Sequence, residues 1–167
     1  MTLFNRYLSR YEAGREETLT LQEYLDLCQR DASAYASAAE RLLMAIGEPE
    51  MIDTRNDSRL SRIFQNKILK IYPAFEEFYG MEEAIEQIVS YLKHAAQGLE
   101  EKKQILYLLG PVGGGKSSLA ERLKQLMEKV PFYAIEGSPV FESPLGLFNP
   151  AEDGPILEQE YGIPHRY

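Results

Sequence analysis

One cysteine stands in 167 residues, Cys28, so no disulfide can form within the chain. Such scarcity fits a reducing cytoplasm. No apolar run approaches the ~20 residues needed to cross a bilayer. The start, Met1-Thr2-Leu3-Phe4-Asn5-Arg6, lacks a basic region followed by an apolar stretch, which excludes a secretory signal. Positive charge is in deficit: 18 Lys and Arg against 26 Asp and Glu leave a net charge of −8. The deficit is uneven, since residues 1–72 are nearly neutral and residues 73–167 carry almost all of the excess negative charge. That balance argues against a broad nucleic-acid surface. No internal repeat and no low-complexity segment is present. A hydrophobic content of 44% is enough for a real core, in one ordinary domain or two small ones.

The first 47 residues read as helices. Leu3, Phe4, Tyr7, Leu8 and Tyr11 recur at helical spacing. Thr20 and Glu23 form a capping-box pattern ahead of Leu21, Tyr24, Leu25 and Cys28 at i, i+3, i+4, i+7. A third stretch follows Asp31 or Ser33, with Tyr35, Ala38, Ala39, Leu42, Leu43 and Ile46 on its stripe and Gly47 as its stop. These stripes are core-facing, and Cys28 on one of them reads as a small buried hydrophobe rather than a nucleophile. Glu48-Pro49 and Asn56-Asp57-Ser58 look like turns, and Leu60, Ile63, Phe64, Ile68 and Leu69 suggest another short helix or two. Arg55, Arg59 and Arg62 follow helical spacing, with Asp53 and Asp57 placed to make a solvated, salt-bridged face.

Beyond Pro73 the pattern changes. Met81, Ala84, Ile85, Ile88, Val89 and Leu92 define an amphipathic helix that Gly98 ends, and Glu100-Glu101-Lys102-Lys103 makes a turn. Ile105-Leu106-Tyr107-Leu108-Leu109 is short and wholly apolar but for its tyrosine hydroxyl, the look of a parallel strand buried on both faces. Ser118 to Met127 reads as a helix with Leu119, Leu123 and Leu126 on one face, and Phe132 to Ile135 as a second strand.

Between the apolar run and that helix lies Gly110-Pro111-Val112-Gly113-Gly114-Gly115-Lys116-Ser117, a match to G-x-x-x-x-G-K-[ST], the Walker A loop. Each position has a physical task. Glycines let backbone N–H groups curl around phosphates with no Cβ in the way. The helix that follows presents its unpaired N–H groups and dipole to the anion. In this acidic half of the chain, that local field is what makes a phosphate site possible. Lys116 can reach the β- and γ-phosphates of ATP as a point charge and is the candidate catalytic residue. Ser117 can ligate the accompanying Mg²⁺ through its hydroxyl. Ser118 starts the helix and is counted with the nucleotide-binding residues. A chance match in a chain of this length has a probability of about 1% or less. No G-x-G-x-x-G occurs, which disfavours a dinucleotide site and a protein-kinase glycine loop, and H-R-D and D-F-G are absent too.

Phe78-Tyr79-Gly80, followed by Met81-Glu82-Glu83-Ala84-Ile85, resembles the segment bordering the adenine ring in AAA+ ATPases. The aromatic pair could lie against the base while Gly80 permits close backbone approach; equally, Phe78 and Tyr79 could be core residues at a helix start.

Longer segments resemble the N-terminus of the bacterial PrkA family. They include Tyr24-Leu25-Asp26-Leu27-Cys28, Ile46-Gly47-Glu48-Pro49-Glu50, Arg59-Leu60-Ser61-Arg62-Ile63-Phe64, His94-Ala95-Ala96-Gln97-Gly98-Leu99, Gly137-Ser138-Pro139 and Glu142-Ser143-Pro144-Leu145-Gly146-Leu147-Phe148. Members are described as serine protein kinases built on an AAA+ ATPase module. The resemblance implies an α/β fold: the first part of a P-loop NTPase parallel-sheet core, residues 73–167, preceded by a small all-helical domain, residues 1–72. It implies ATP and Mg²⁺ as ligands, a protein substrate, and a homo-oligomer in the full-length protein, with neither membrane nor nucleic acid as partner. Three activities stay open: serine kinase, AAA+ remodelling or proteolysis of proteins, and a docking role for residues 1–72.

The family's acidic Walker B strand has no match here, because Asp153 lies in the polar turn Ala151-Glu152-Asp153-Gly154-Pro155. Sensor residues and an arginine finger, the latter worth about 10³–10⁵ in rate, are likewise not found. Residues 1–167 alone are therefore expected to bind ATP and barely hydrolyse it. A phosphate-release assay beside the full-length protein, with Lys116→Ala as background, checks this; comparable Lys116-dependent rates would refute it.

Overall fold

The computed structural model describes residues 4–6, 18–56, 61, 62, 64, 65, 67–165 and 167. Residues 4–6 are helical. The rest of the first stripe (Leu3, Tyr7, Leu8, Tyr11) lies outside the described residues, as do Asp57, Ser58, Arg59, Leu60 and Ile63.

Helix α1, Leu21–Arg30, starts at the expected capping box. The Thr20 hydroxyl accepts from the Glu23 N–H at 3.3 Å, and the Glu23 carboxylate accepts from the Thr20 N–H at 2.8 Å. The Thr20 N–H, and the Thr20 hydroxyl donating at 2.7 Å, hold the Glu23 carboxyl below its ordinary value. Asp31 caps only a 3₁₀ turn, Ala32–Tyr35, through the Ser33 N–H. The next helix, α2 (Ala38–Ile46), begins later than expected, at a second capping box made by Ser37 and Glu40. Two reciprocal bonds at residues 37–40 outweigh the single one that Asp31 offers. Gly47 ends α2 with φ of 77°.

Residues 48–75 correct the expectation of an all-helical N-terminal part. Strands β1 (Glu50–Asp53) and β2 (Ile68–Ile71) pair antiparallel, Glu50 opposite Ile71 and Asp53 opposite Ile68. Ile68 and Leu69 are strand residues because they pair with Asp53 and Ile52, and they face opposite ways: Leu69 is 3% exposed and Ile68 is 56% exposed. Buried Thr54 closes the pair by donating its hydroxyl to the Lys67 carbonyl at 2.7 Å. Arg55 forms the expected salt bridge with Asp53, at 2.6 Å on the surface.

Three further helices follow: α3 (Glu82–Ala96), α4 (Lys116–Met127) and α5 (Gly154–Tyr161). Helix α3 carries the predicted stripe, burying Ile85, Ile88, Val89 and Leu92. Residues 100–103 form a 3₁₀ turn where a turn was expected. Neither residues 105–109 nor residues 132–135 form a strand, so the parallel sheet anticipated around the loop is not present among the described residues. A strand needs a neighbour to take its N–H and C=O groups, and residues 105–109 have none. Ile105, Tyr107 and Leu109 stand 91%, 76% and 81% exposed.

Two apolar clusters organise the chain. One joins α2, Tyr72, Phe75, α3 and α4. The other joins α1 to Tyr133, Leu145, Phe148, α5 and Ile163. Burial lifts the Cys28 thiol above its ordinary value within the second cluster, as befits a packed hydrophobe. Leu126 is 0% exposed in the first. Leu126→Ala should cost about 2–5 kcal/mol of stability, the usual range for a buried leucine truncated to alanine. Urea denaturation of the intact protein checks this; a midpoint equal to the wild type would contradict the burial.

Candidate functional site

The glycine loop leads directly into α4, with Gly115 as the residue before its first turn. The first bond into the helix is donated by the Leu119 N–H to the Gly115 carbonyl at 2.9 Å. The N–H groups of residues 115–118 consequently have no acceptor among the described residues. Gly115 sits at φ +74°, and a Cβ there would lie 3.0 Å from the Met81 sulfur. At Gly114 a Cβ would lie 3.1 Å from the Pro111 carbonyl oxygen. Glycine is thus favoured by backbone conformation at position 115, and a Cβ at position 114 would crowd the loop backbone.

Lys116 turns back into the loop. Its ammonium donates to the carbonyls of Gly110, at 2.8 Å, and Pro111, at 2.5 Å. The loop is therefore wrapped around its own cation, whose partners carry only partial negative charge. Val112 is fully exposed at the tip. The Ser117 side chain is exposed and makes no hydrogen bond with another described residue, so its hydroxyl is available to a ligand.

A cleft of about 1040 Å³ opens beside the loop. Gly113, Gly114, Gly115, Ser117 and Ser118 line one end, and Phe78 and Tyr79 line a wall. The structure thus brings together two segments that sequence spacing alone left more than thirty residues apart. Gly110, Pro111, Val112, Lys116 and Gly80 do not line this cleft. Gly80 has φ of +78°, a backbone conformation that favours glycine, and open space where a Cβ would point. Phe78 packs on the first cluster and meets Phe75 edge-on at 6.1 Å, while Tyr79 is 88% exposed.

Met81, Glu77, Glu121, Arg122 and Gln125 also line the cleft. Sequence reasoning missed them. The signal was available: Ser117, Glu121 and Gln125 fall at i, i+4, i+8, and Ser118 and Arg122 at i, i+4, so the helical period carried outward from the motif marks that face. Asp153 is no part of the site; its carboxylate accepts the Asn149 N–H at 2.7 Å near the start of α5.

The family model described as the PrkA AAA domain matches residues 19–167. The chain belongs to that family. It is 69% identical to "Serine/threonine kinase YeaG" of Escherichia coli K12 over all of its own length and 27% of that protein's, and equally to the same-named protein of Escherichia coli O157:H7. It is 34% identical to "ATP-dependent protease PrkA" of Bacillus subtilis 168, over 93% of this chain and 25% of the other. The chain thus spans about a quarter of the length of these curated relatives. No solved structure matches it. No helix among the described residues is long and apolar enough to cross a membrane.

The Lys116 ammonium is the loop's one full positive charge, and a charge-assisted hydrogen bond is worth about 1.5–3 kcal/mol. Lys116→Ala should weaken ATP binding about ten- to a hundredfold and leave the fold nearly intact, because the acceptors it gives up are two exposed loop carbonyls. Calorimetric titration of both proteins checks this; equal affinities would refute the role.

Proposed function

We propose that the cleft binds ATP with Mg²⁺, and that the chain is the ATP-binding part of a PrkA-like serine protein kinase. The observation that carries the reading is the convergence on one cleft of Gly113, Gly114, Gly115, Ser117 and Ser118 with Phe78 and Tyr79. The orientation of the nucleotide follows from charge. Polyphosphate suits the glycine end, where the unpaired N–H groups of residues 115–118 open the helix. Glu77 and Glu121, which also line the cleft, repel phosphate but accept hydrogen bonds, which suits base and ribose. The residues fit both ligands. A Cβ at position 114 would crowd the Pro111 carbonyl and one at position 115 would be strained by its positive φ, and the Ser117 hydroxyl is the hard oxygen donor that Mg²⁺ prefers. Bound Mg²⁺ would neutralise phosphate charge. Lys116 would exchange its two carbonyl acceptors for phosphate oxygens, holding the β- and γ-phosphates for attack.

The acceptor in this reading is a serine hydroxyl of a protein substrate, whose oxygen bonds the γ-phosphorus as ADP leaves. The relatives at 69% identity are named serine/threonine kinases, which favours it. A second reading, ATP hydrolysis coupled to remodelling or proteolysis of proteins, is favoured by the name of the relative at 34%. Both readings take a protein substrate and a homo-oligomeric intact protein. A reducing cytoplasm suits the lone, buried Cys28.

ATP labelled at the γ-phosphate, incubated with the intact protein and a cell extract, separates the two. The kinase reading expects label on protein serine that Lys116→Ala abolishes. Free labelled phosphate with loss of substrate protein, and no labelled serine, would replace it with the second reading. Absence of any ATP binding would sink both.

A further inference from the structure

Arg122 ties together the two halves of the cleft. Its Nε–H donates to the Ala74 carbonyl at 2.8 Å, and its guanidinium lies 3.9 Å from the Glu77 carboxylate. Among the described residues this is the one hydrogen bond between α4 and the segment from Pro73 to Tyr79. That segment is a relay of turns. The Phe75 N–H donates to the Tyr72 carbonyl at 2.9 Å, the Glu76 N–H to Pro73 at 3.3 Å, and the Phe78 N–H to Phe75 at 2.9 Å. A shift at Ala74 is accordingly passed on to Phe78 and Tyr79.

The other end of α4 carries the phosphate loop. Six residues of helix separate Lys116 from Arg122, a rise of about 9 Å. The Arg122 bond therefore fixes how far the aromatic wall stands from the glycine end, measured along a rigid helix. Leu119 and Leu126 hold α4 to the core, but their contacts are non-directional and permit small slides. A planar guanidinium bonding a carbonyl sets direction as well as distance.

We infer that Arg122 is a positioning residue for the base of the bound nucleotide. It holds the wall of Phe78 and Tyr79 at the spacing that lets base and phosphates engage together. This rests on the reading of the cleft as an ATP site. Loss of Arg122 leaves the phosphate cradle in place, because the bonds of its side chain go to Ala74 and Glu77 and none goes to residues 113–118 among the described residues. The affinity contributed by the base is what falls.

The test uses calorimetry on the intact protein with two probes at one Mg²⁺ concentration, ATP and inorganic tripolyphosphate. Arg122→Met keeps the apolar stem and removes the donor. Arg122→Lys keeps a cation able to reach the Ala74 carbonyl. Arg122→Met should lower ATP affinity about tenfold, the scale of one lost aromatic–base contact, with tripolyphosphate affinity unchanged. Arg122→Lys should recover part of the loss. Should Arg122→Met fail to fold, Arg122→Gln gives the same comparison. ATP affinity unchanged in the donor-less variant overturns the inference, as does an equal fall for both probes, which marks general loosening of α4. Wild-type protein binding ATP no more tightly than tripolyphosphate would overturn the base-side reading itself, and a wild type that binds neither would overturn the nucleotide site.

Discussion

Leu119 and Leu126 are 1% and 0% exposed, two turns apart on one face of α4, and they seat that helix against α2, Phe75 and α3. Helix α4 cannot roll without bringing both leucines into water, at roughly 1.5–3 kcal/mol for each side chain exposed. Its rotation about its own axis is fixed for that reason. Once the apolar stripe faces the core, Ser117, Ser118, Glu121, Arg122 and Gln125 have to face the cleft. The direction in which the glycine loop enters the helix is fixed by the same contact. The chemistry of the loop thus depends on a packing contact that touches none of it.

The N-terminal helices are part of this support. The Arg41 guanidinium on α2 donates to the Val130 carbonyl at 2.6 Å, just beyond α4, and lies 4.7 Å from the centre of the Phe132 ring. Burial pushes Arg41 below its ordinary value, and the carbonyl and the ring supply part of the interaction that the guanidinium gives up with water. The other carboxylate oxygen of Glu40, which also closes the α2 capping box, accepts from the Tyr167 hydroxyl. Helix α1 reaches α5 through the Gln29 amide, which donates to the Glu160 carbonyl at 2.9 Å. Packing crosses residue 72 in both apolar clusters, so the helices before it and the loop after it share their cores.

What sequence revealed depended on how local the signal was. The Thr20–Glu23 box, the Gly47 stop, the α3 stripe and the start of α4 beside its glycines are set by residues within one or two turns, and each was legible. The pairing of β1 with β2 was not, because Glu50–Asp53 shows no alternation of its own and takes its register from a distant partner, Glu50 opposite Ile71 and Asp53 opposite Ile68. Helix α5 was hidden for a different reason. Its start reads as a polar turn because Asn149 and Asp153 do form one, and Pro155 then occupies the first turn, where a missing N–H is tolerated. The apolar run at residues 105–109 misled in the other direction, since composition reports suitability for a buried strand and is silent on whether a neighbour is there. In the candidate site the motif itself was plain, while the far wall was set by tertiary contact: nothing near Ala74 in sequence announces that Arg122 bonds it.

The hold of Lys116 on its own loop bears on which anions the loop can select. To engage the ammonium, an incoming ion has to displace two carbonyls already at bonding distance. A singly charged ion such as chloride gains little over that pair, with its own hydration to lose as well. A polyphosphate brings several negative charges and several acceptor oxygens at once, and can also satisfy the N–H groups of residues 115–118. The internal lysine contact thus sets a threshold of charge and acceptor number that an anion has to exceed before Lys116 changes partners.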